Sequence, residues 1–370
     1  MQLLSIHPGL RRTAAALALL VALAAPARAV VLDDENRVTV TLPDGTPVTL
    51  LGVAGSAPGV KSTQYYYLPV NLRLAKRPDG VPELLFVKLT TENRELLAKL
   101  GYLGMVIPEA YGGAGAPIIQ GTILLEELAR VCFNTALVAQ IAINGPSRAI
   151  AILASPEQKQ RWLPGCASGE HSFAIGISEP GAGSAMTDMT TSVTPDGDHV
   201  VLHGQKAYCT GGHLATHVLV FARWGQTQGP KGIGALVVER GSPGFEVGHP
   251  ERKMGGRGMP EVELFFDRCR VPRANVIMEG DPNSTRSFER LMRSFGPERV
   301  GNAAMCLGVA QAAYEAAKAY SQQREQFGRP ICEFQGLQWK IADMSVKLES
   351  AQLMLWKAVV GAQKGLPGAF

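Results

Sequence analysis

The segment ISEPGAGSAMTDMTTSV, residues 177–193, places turn-forming residues and hydroxyl side chains directly after the apolar run HSFAIG. Gly181 and Gly183 allow the backbone to turn tightly and to approach another molecule closely, and the preceding proline stiffens the entry. Ser178 and Ser184 add hydroxyl groups that donate and accept hydrogen bonds. This composition is typical of a binding loop. A surface turn between two strands uses the same residues, so the segment alone leaves both interpretations open.

The composition is that of a globular protein with a sizeable core: 370 residues, of which 46% are hydrophobic and 18% charged. The net charge of +4 is spread over small clusters, which argues against nucleic-acid binding. The six cysteines are far apart and form no CxxC pair, and His213 and His217 lack the glutamate of an HExxH motif. No metal site is therefore predicted.

The two ends of the chain differ in pattern. Residues 1–29 have a basic Arg11-Arg12 pair, an apolar run and a small-x-small end, which predicts a secretory signal peptide; the run is too short to predict a stable membrane span. Residues 30–90 alternate apolar and polar side chains around an Asp44-Gly45 turn, a hairpin signal. TQYYYLPVNLRLA and PELLFVKLT are two further strand candidates, so this segment is predicted to be β-rich.

The rest of the chain divides into three parts. Over residues 91–170 the apolar positions are three and four apart, which predicts amphipathic helices, one of them starting at a Ser155 cap with Glu157 in its first turn. Residues 171–280 predict a β-domain, and residues 281–370 predict two long helices. The predicted fold class is therefore α+β multidomain.

Five motifs resemble the acyl-CoA dehydrogenase family, in family order and at family spacing. They are LGYLGMVIPEAYGGAG, ISEPGAGSAMTDMTTSV, GQKAYCTGG, KMGGRGMPEVELFFDRCRVP and REQFGRPICEFQGLQWKIADM. The resemblance covers residues 92–370 and implies an N-terminal helical domain, a middle β-domain and a partial C-terminal helical bundle that lacks its last two helices. It also implies fatty acid metabolism and an FAD cofactor held between the β-domain and the bundle.

The same resemblance assigns the opening loop to the flavin. Ser178 would bond the ring edge and Ser184 would lie near the CoA side, since fixed N–H and O–H dipoles stabilise the charge of reduced flavin. Tyr208 and Thr210 would cover the other side of the ring, although many relatives have Trp or Phe in place of this tyrosine. The implied cofactor-binding residues are Ile175, Ile177, Ser178, Gly183, Ser184, Tyr208, Thr210, Arg324, Phe327 and Gln335.

Three residues of this set belong to the motif REQFGRPICEFQ. Arg324, Phe327 and Gln335 match positions that reach the FAD of a neighbouring subunit. Arg324 would pair with the pyrophosphate, for which a planar cation with several donors is suited. An exposed arginine on a helix is the alternative interpretation of Arg324.

The family desaturates acyl thioesters: a carboxylate removes the α-proton while the β-hydrogen leaves as hydride to the flavin. In most members the base lies near the C-terminus, beyond the last residue here. In the isovaleryl-CoA and long-chain branches it lies on the first bundle helix, directly before an arginine, and SFGPERVG has Glu298 before Arg299. Glu298 is therefore the candidate base, with Arg299 and Ser184 as candidate substrate contacts. A solvated Glu-Arg pair that favours the helix dipole is the alternative.

The resemblance predicts an enzyme, an FAD-dependent acyl-CoA dehydrogenase. The alternatives are a flavin- or acyl-CoA-binding remnant without turnover, an oxidase or monooxygenase on the same scaffold, and an exported β-domain protein. The implied partners are an acyl-CoA substrate, an electron-transferring flavoprotein or similar acceptor, and further copies of the chain in a dimer or tetramer. The resemblance implies work beside CoA and that acceptor, in the cytoplasm or mitochondrial matrix, so a cytoplasmic location is expected, whereas the signal-like segment would imply export.

Overall fold

The computed structural model describes the secondary structure of residues 37–41, 47–55, 64–69, 75–76, 82–83, 86–256 and 258–363. The predicted signal peptide and the Asp44-Gly45 turn lie outside the described residues. The chain forms two compact units, Met1–Leu96 and Leu97–Phe370.

The first unit contains an antiparallel sheet in the order β1 (Arg37–Thr41), β2 (Pro47–Gly55) and β3 (Gln64–Pro69). A two-stranded ladder pairs β4 (Ala75–Lys76) with β5 (Pro82–Glu83). The strand predicted over PELLFVKLT is wrong from Phe86 onward, because helix α1 (Phe86–Lys99) begins there. A short apolar run without a turn signal fits a buried helix as well as a strand.

Four helices follow in the second unit. They are α2 (Ile118–Val131), α3 (Phe133–Asn144), α4 (Pro146–Leu153) and α5 (Pro156–Ser168). The extended conformation of Cys132 separates α2 from α3, and prolines in the first turns of α4 and α5 mark new starts. The predicted Ser155 cap is confirmed: its hydroxyl accepts from the Gln158 amide at 3.3 Å, and the Gln158 side chain accepts from the Ser155 N–H at 3.0 Å.

The stretch Phe133–Leu153, which comprises α3 and α4, is long and apolar enough to cross a membrane by length and composition alone. Its most apolar window is 61% buried inside the protein. Ile143 and Ile150 are completely buried in the core. The apolar character of these helices therefore reflects packing within the fold.

The middle of the chain forms one eight-stranded sheet. Its strands are β6 (Phe173–Gly176), β7 (Ser192–Asp196), β8 (His199–Thr210), β9 (His217–Trp224), β10 (Ile233–Glu239), β11 (Phe245–Val247), β12 (Glu261–Pro272) and β13 (Val276–Met278). The path runs β11-β12-β8-β7-β9-β10-β13, and β6 pairs in parallel with β9. Leu219 and Phe221 of β9 join the core shared with the helices, whereas Val218 and Val220 join the core on the opposite face. Burial on both faces explains the nearly continuous apolar run HVLVFARW.

The C-terminal region contains α6 (Arg286–Ser294), α7 (Gly296–Gln323) and α8 (Gln335–Gln363), with a small hairpin of β14 (Glu325–Gln326) and β15 (Arg329–Pro330) before α8. The prediction of two long helices is wrong in one respect, because α6 and α7 are separate. Phe295 leaves the helical conformation between them, and Pro297 in the first turn of α7 has no N–H to continue the α6 ladder. Helix α7 packs on α2, α3 and α8.

Candidate functional site

The glycine loop, residues 177–184, leaves the sheet at the end of β6 and runs beside β8. The Ala207 N–H donates to the Ser178 carbonyl at 2.8 Å, and the Cys209 thiol lies 3.2 Å from the Ile175 carbonyl. Burial raises the pKa of the Cys209 thiol to about 12, so this cysteine is an inert part of the core. These contacts bring the predicted residues Ile175, Ile177 and Ser178 together with the end of β8.

Within the glycine loop, Glu179 and Ala182 exchange two backbone hydrogen bonds of 3.0 Å, which close a tight turn. No heavy atom lies within 4 Å of the position that a Cβ would take at Gly181 or Gly183. Gly183 and Ser184 are exposed, and Ser178 is half-buried. The loop therefore has an open surface next to its hydroxyl groups that a ligand can cover.

A buried ion pair between the loop and β8 holds this loop in place. Lys206 Nζ lies 2.8 Å from Glu179 Oε1 and donates to the Ile177 carbonyl at 3.1 Å, and Lys206 is 0% exposed. Glu179 also accepts from the Thr190 and Thr191 amides. Burial by itself would raise the pKa of Glu179, but Lys206 and these hydrogen bonds outweigh it and lower that pKa well below its usual range. The buried ion pair therefore ties the glycine loop, through Glu179, to Lys206 of β8.

Tyr208 is presented by a β-bulge. Lys206 pairs with Leu264 and Cys209 with Val262, so two residues of β8 face one residue of β12. Tyr208 has a φ of +54° and is 70% exposed, an unfavourable conformation for a non-glycine residue. The bulge turns the tyrosine ring away from the core and leaves a free aromatic surface.

Thr210, the last residue of β8, is fixed by a carboxylate. Its hydroxyl donates to Glu261 Oε2 at 2.6 Å, and the other oxygen of Glu261 lies 3.1 Å from Lys253 Nζ. The side chain of Thr210 is therefore held in place at the edge that also carries Tyr208.

The other predicted cofactor residues form a second group around the β14–β15 hairpin. Arg324 directly follows α7, its carbonyl accepts from the Ile331 N–H at 2.8 Å, and its side chain is exposed. Phe327 has a φ of +53°, is 94% exposed and stands edge-on to Phe334. Gln335 is exposed at the start of α8. These side chains all lie on the surface of the chain.

Glu298 lies in the first turn of α7 and is half-buried, whereas Arg299 is exposed. Burial raises the pKa of the Glu298 carboxyl, and the neighbouring Arg299 opposes this only in part. The Glu298 carbonyl accepts a 2.7 Å hydrogen bond from Gln140 of α3. A half-buried carboxyl with a raised pKa argues against a fully solvated Glu298–Arg299 ion pair.

The first turn of α7 is connected to the glycine loop through one apolar cluster. Phe295, three residues before Glu298, belongs to a core that includes Phe221, and their ring centroids are 5.7 Å apart. Ile175 and Ile177 pack against the same core. The candidate base and the candidate cofactor loop therefore share a structural support.

Three family models match the chain in order. The N-terminal domain of acyl-CoA dehydrogenases matches residues 88–170, the middle domain residues 174–269 and the C-terminal domain residues 286–369. The chain belongs to the acyl-CoA dehydrogenase family.

Characterised acyl-CoA dehydrogenases agree with this assignment. A short-chain-specific acyl-CoA dehydrogenase of Clostridium acetobutylicum is 37% identical over 277 residues, which are 75% of this chain and 72% of that protein. A cyclohex-1-ene-1-carbonyl-CoA dehydrogenase of Syntrophus aciditrophicus is 40% identical over 268 residues, 72% of this chain and 63% of that protein. The solved butyryl-CoA dehydrogenase of Megasphaera elsdenii superimposes with a TM-score of 0.70 and 33% identity, covering 76% of this chain and 73% of that one.

As an acyl-CoA dehydrogenase the protein is a flavoprotein oxidoreductase with FAD as cofactor. The open glycine loop and the exposed Tyr208 fit a flat aromatic cofactor, because one supplies hydroxyl and amide donors and the other a stacking surface. Sequence reasoning missed Glu179 and Lys206, which hold the glycine loop, and Gln140, which donates to the backbone carbonyl of the candidate base. Both members of the ion pair stand inside recognised motifs, but only the fold shows that they meet.

Proposed function

We propose that the protein catalyses FAD-dependent α,β-dehydrogenation of an acyl-CoA thioester, with Glu298 as the base. The carboxylate of Glu298 takes the α-hydrogen as a proton, and the electrons of that C–H bond form the α,β double bond. When bound, FAD accepts the β-hydrogen together with its electron pair. The observation that carries this proposal is the half-buried position of Glu298, three residues after Phe295 of the core against which Ile175 and Ile177 of the cofactor segment pack; partial burial also raises the pKa of its carboxyl.

The remaining residues divide into two roles. The flavin ring is held from the β-domain by Ile175, Ile177, Ser178, Gly183, Tyr208 and Thr210. Ser184 lies toward the CoA. Arg299, exposed next to Glu298, orients the substrate thioester. Fixed donors on the glycine loop favour the negative charge that develops during the reaction, because they need no reorganisation when it appears.

The visible spectrum of the purified protein tests this function. Flavin absorbance should be present and should bleach when straight-chain acyl-CoAs are added without oxygen. Bleaching without a second acceptor would exclude a remnant that lacks turnover, and slow reoxidation in air would argue against an oxidase. A flavin that no acyl-CoA bleaches would overturn the proposal.

We further propose that the working form is a homo-oligomer in the cytoplasm that passes electrons to an electron-transferring flavoprotein. Four exposed apolar residues of α8 are spaced seven apart and form one stripe: Trp339, Val346, Leu353 and Val360. Such a spacing is typical of a helix that packs along another helix. The exposed Arg324, Phe327 and Gln335 then reach the FAD of a neighbouring subunit. The domain boundaries that accompany this proposal are 91–170, 171–280 and 281–370.

Replacing Arg324 by alanine should weaken FAD binding about ten- to a hundredfold, since a charge-assisted hydrogen bond to a phosphate is lost. FAD retained after gel filtration and the dissociation constant of FAD measure the effect. Arg329→Ala is the matched control, because Arg329 lies on the β14–β15 hairpin that directly follows Arg324 but stacks over Phe334 at 4.2 Å. Equal losses in the two variants would mean that the hairpin fold, and not the Arg324 cation, determines FAD retention.

A further inference from the structure

The first turn of α7, which carries Glu298, is bonded to α3 by a buried side chain. Gln140 of α3 is 2% exposed, and its Nε2 donates to the Glu298 carbonyl at 2.7 Å. The same nitrogen lies 3.4 Å from Asn302 Oδ1, about one turn further along α7. A carbonyl can only accept, so this contact fixes which end of the amide faces α7. One amide of α3 thus spans the turn of α7 that begins at Glu298.

A second amide holds Gln140 in this orientation. Asn144 is 1% exposed, lies four residues along the same face of α3, and donates from Nδ2 to Gln140 Oε1 at 2.9 Å. Both amides pack on Gly301 of α7, where a Cβ would overlap Gln140 Oε1 and would lie 2.7 Å from Asn144 Nδ2. Any side chain at position 301 would therefore displace them. Gln140, Asn144 and Gly301 together are called the amide cluster below.

The bond from Gln140 is not needed to satisfy the Glu298 carbonyl. Inside a regular α-helix this carbonyl already accepts from the N–H four residues later, and Gln140 uses its second lone pair. The buried face of α7 includes Gly301, Ala304 and Gly308, which have little or no side chain to interlock with a neighbouring helix. Apolar contact is non-directional, whereas a hydrogen bond joins two specified atoms. The Gln140 bond is therefore suited to fix how α7 is rotated about its axis.

The rotation of α7 determines where the Glu298 carboxyl lies. Side-chain tips lie about 5–6 Å from the axis of an α-helix, so a rotation of ~10° moves a carboxyl by about 1 Å. A displacement of about 1 Å at a reacting group can lower a rate about a hundredfold. Because Glu298 is half-buried, the same rotation would also change how much water reaches its carboxyl.

We propose that Gln140 is a positioning residue for the reaction: the amide cluster fixes the rotation of α7 and thereby the place of the Glu298 carboxyl. This inference rests on the proposed function, in which that carboxyl is the base. Gln140 acts through the backbone of α7, and its own side chain takes no part in the proton transfer.

Gln140→Met tests this role, because methionine keeps the length of the side chain and removes its hydrogen bonds. The rate of flavin reduction should fall about ten- to a hundredfold, while the dissociation constant of acyl-CoA should change by less than about threefold. The acid limb of reduction should move toward the ordinary glutamate pKa of 4.5, because the carboxyl gains water. Stopped-flow absorbance over a range of pH measures the rate and the limb. An unchanged rate, or a lower rate with an unmoved acid limb, would overturn the inference.

A second variant and a control test whether the effect belongs to the amide cluster. Asn144→Leu removes only the bond that orients Gln140, so it should shift the rate and the acid limb in the same direction by a smaller factor. Thr122→Val is the control: Thr122 is 1% exposed on α2, which also packs on α7, but its hydroxyl donates to the Ile118 carbonyl of its own helix at 2.9 Å. This control should lose stability and keep the rate and the limb. No shift in Asn144→Leu, or equal shifts in Thr122→Val, would contradict the proposal.

The pH dependence of unfolding separates this inference from the proposed function. Comparing Glu298 with Glu298→Gln in the wild type and in Gln140→Met gives the pKa of the carboxyl in each protein without any flavin reduction. A lower pKa in Gln140→Met, together with undiminished reduction in Glu298→Gln, would remove the proposed function and keep the effect of Gln140 on Glu298. An unaltered pKa, together with loss of reduction in Glu298→Gln, would keep the function and overturn the inference.

Discussion

Glu298→Gln should bind acyl-CoA and fail to bleach the flavin. The glutamine keeps the size of the side chain but cannot take a proton, so the rate of flavin reduction should fall about a hundred- to ten-thousandfold. Stopped-flow absorbance gives this rate, and the shift of the flavin spectrum on binding gives the affinity. Glu289→Gln is the control, since Glu289 is exposed on the adjacent helix α6. Unchanged reduction in the Glu298 variant would exclude Glu298 as the base.

The pH dependence supplies a second readout for the same residue. The base acts as a carboxylate, and burial raises its pKa, so the acid limb of flavin reduction should lie above the ordinary glutamate pKa of 4.5. Between 4.5 and the raised pKa the folded state binds more protons than the unfolded state, so this group costs stability as the pH rises through that interval. Glu298→Gln should therefore be at least as stable as the wild type at neutral pH. A large loss of stability would indicate a structural role.

The sequence predicts the glycine loop well because its residue types act locally. Glycine, proline and serine are the ordinary residues of an open turn such as residues 178–184, and the apolar pattern of the β-domain extends over many residues. The Glu179–Lys206 pair could not be predicted in the same way, because the two residues are 27 positions apart and each charged side chain alone suggests a solvated surface. Contacts of this kind depend on which strands become neighbours.

The helix boundaries show a related limit. Pro297 in SFGPERVG marks the place where α6 ends and α7 begins. The local sequence does not distinguish a proline in the first turn of a new helix from a proline that kinks a continuous helix. The depth of Glu298 depends on α3, which meets the first turn of α7 through Gln140. The motif is enough to predict Glu298 as a candidate base. Its partial burial could not be predicted, because it depends on the packing of helices that are distant in sequence.

Lys206→Met should cause the largest loss of stability, about 3–5 kcal/mol, because it leaves the Glu179 charge buried without its partner. It should also release the Ile177 carbonyl and loosen the glycine loop, so FAD should be lost together with stability. Urea denaturation measures the free energy of unfolding. The flavin absorbance that remains with the protein after equilibrium dialysis measures how much FAD is bound. Lys347→Met is the control, since its pair with Asp343 is exposed on α8, and its effect should stay within about 0.5 kcal/mol.

Two further measurements distinguish the effect of the unpaired buried charge in Lys206→Met from the effect of lost packing. One lowers the pH, and the other adds a second substitution. In the wild type the pKa of Glu179 is lowered, so its contribution is present above pH 4.5 and is lost as the pH falls through the folded pKa. In Lys206→Met the unpaired carboxyl should instead take up a proton readily, so the deficit relative to wild type should shrink as the pH falls. Adding Glu179→Gln to Lys206→Met should recover most of the loss at neutral pH, because the amide carries no charge. If the double variant is as unstable as Lys206→Met and the deficit is independent of pH, the lysine acts through its packing volume.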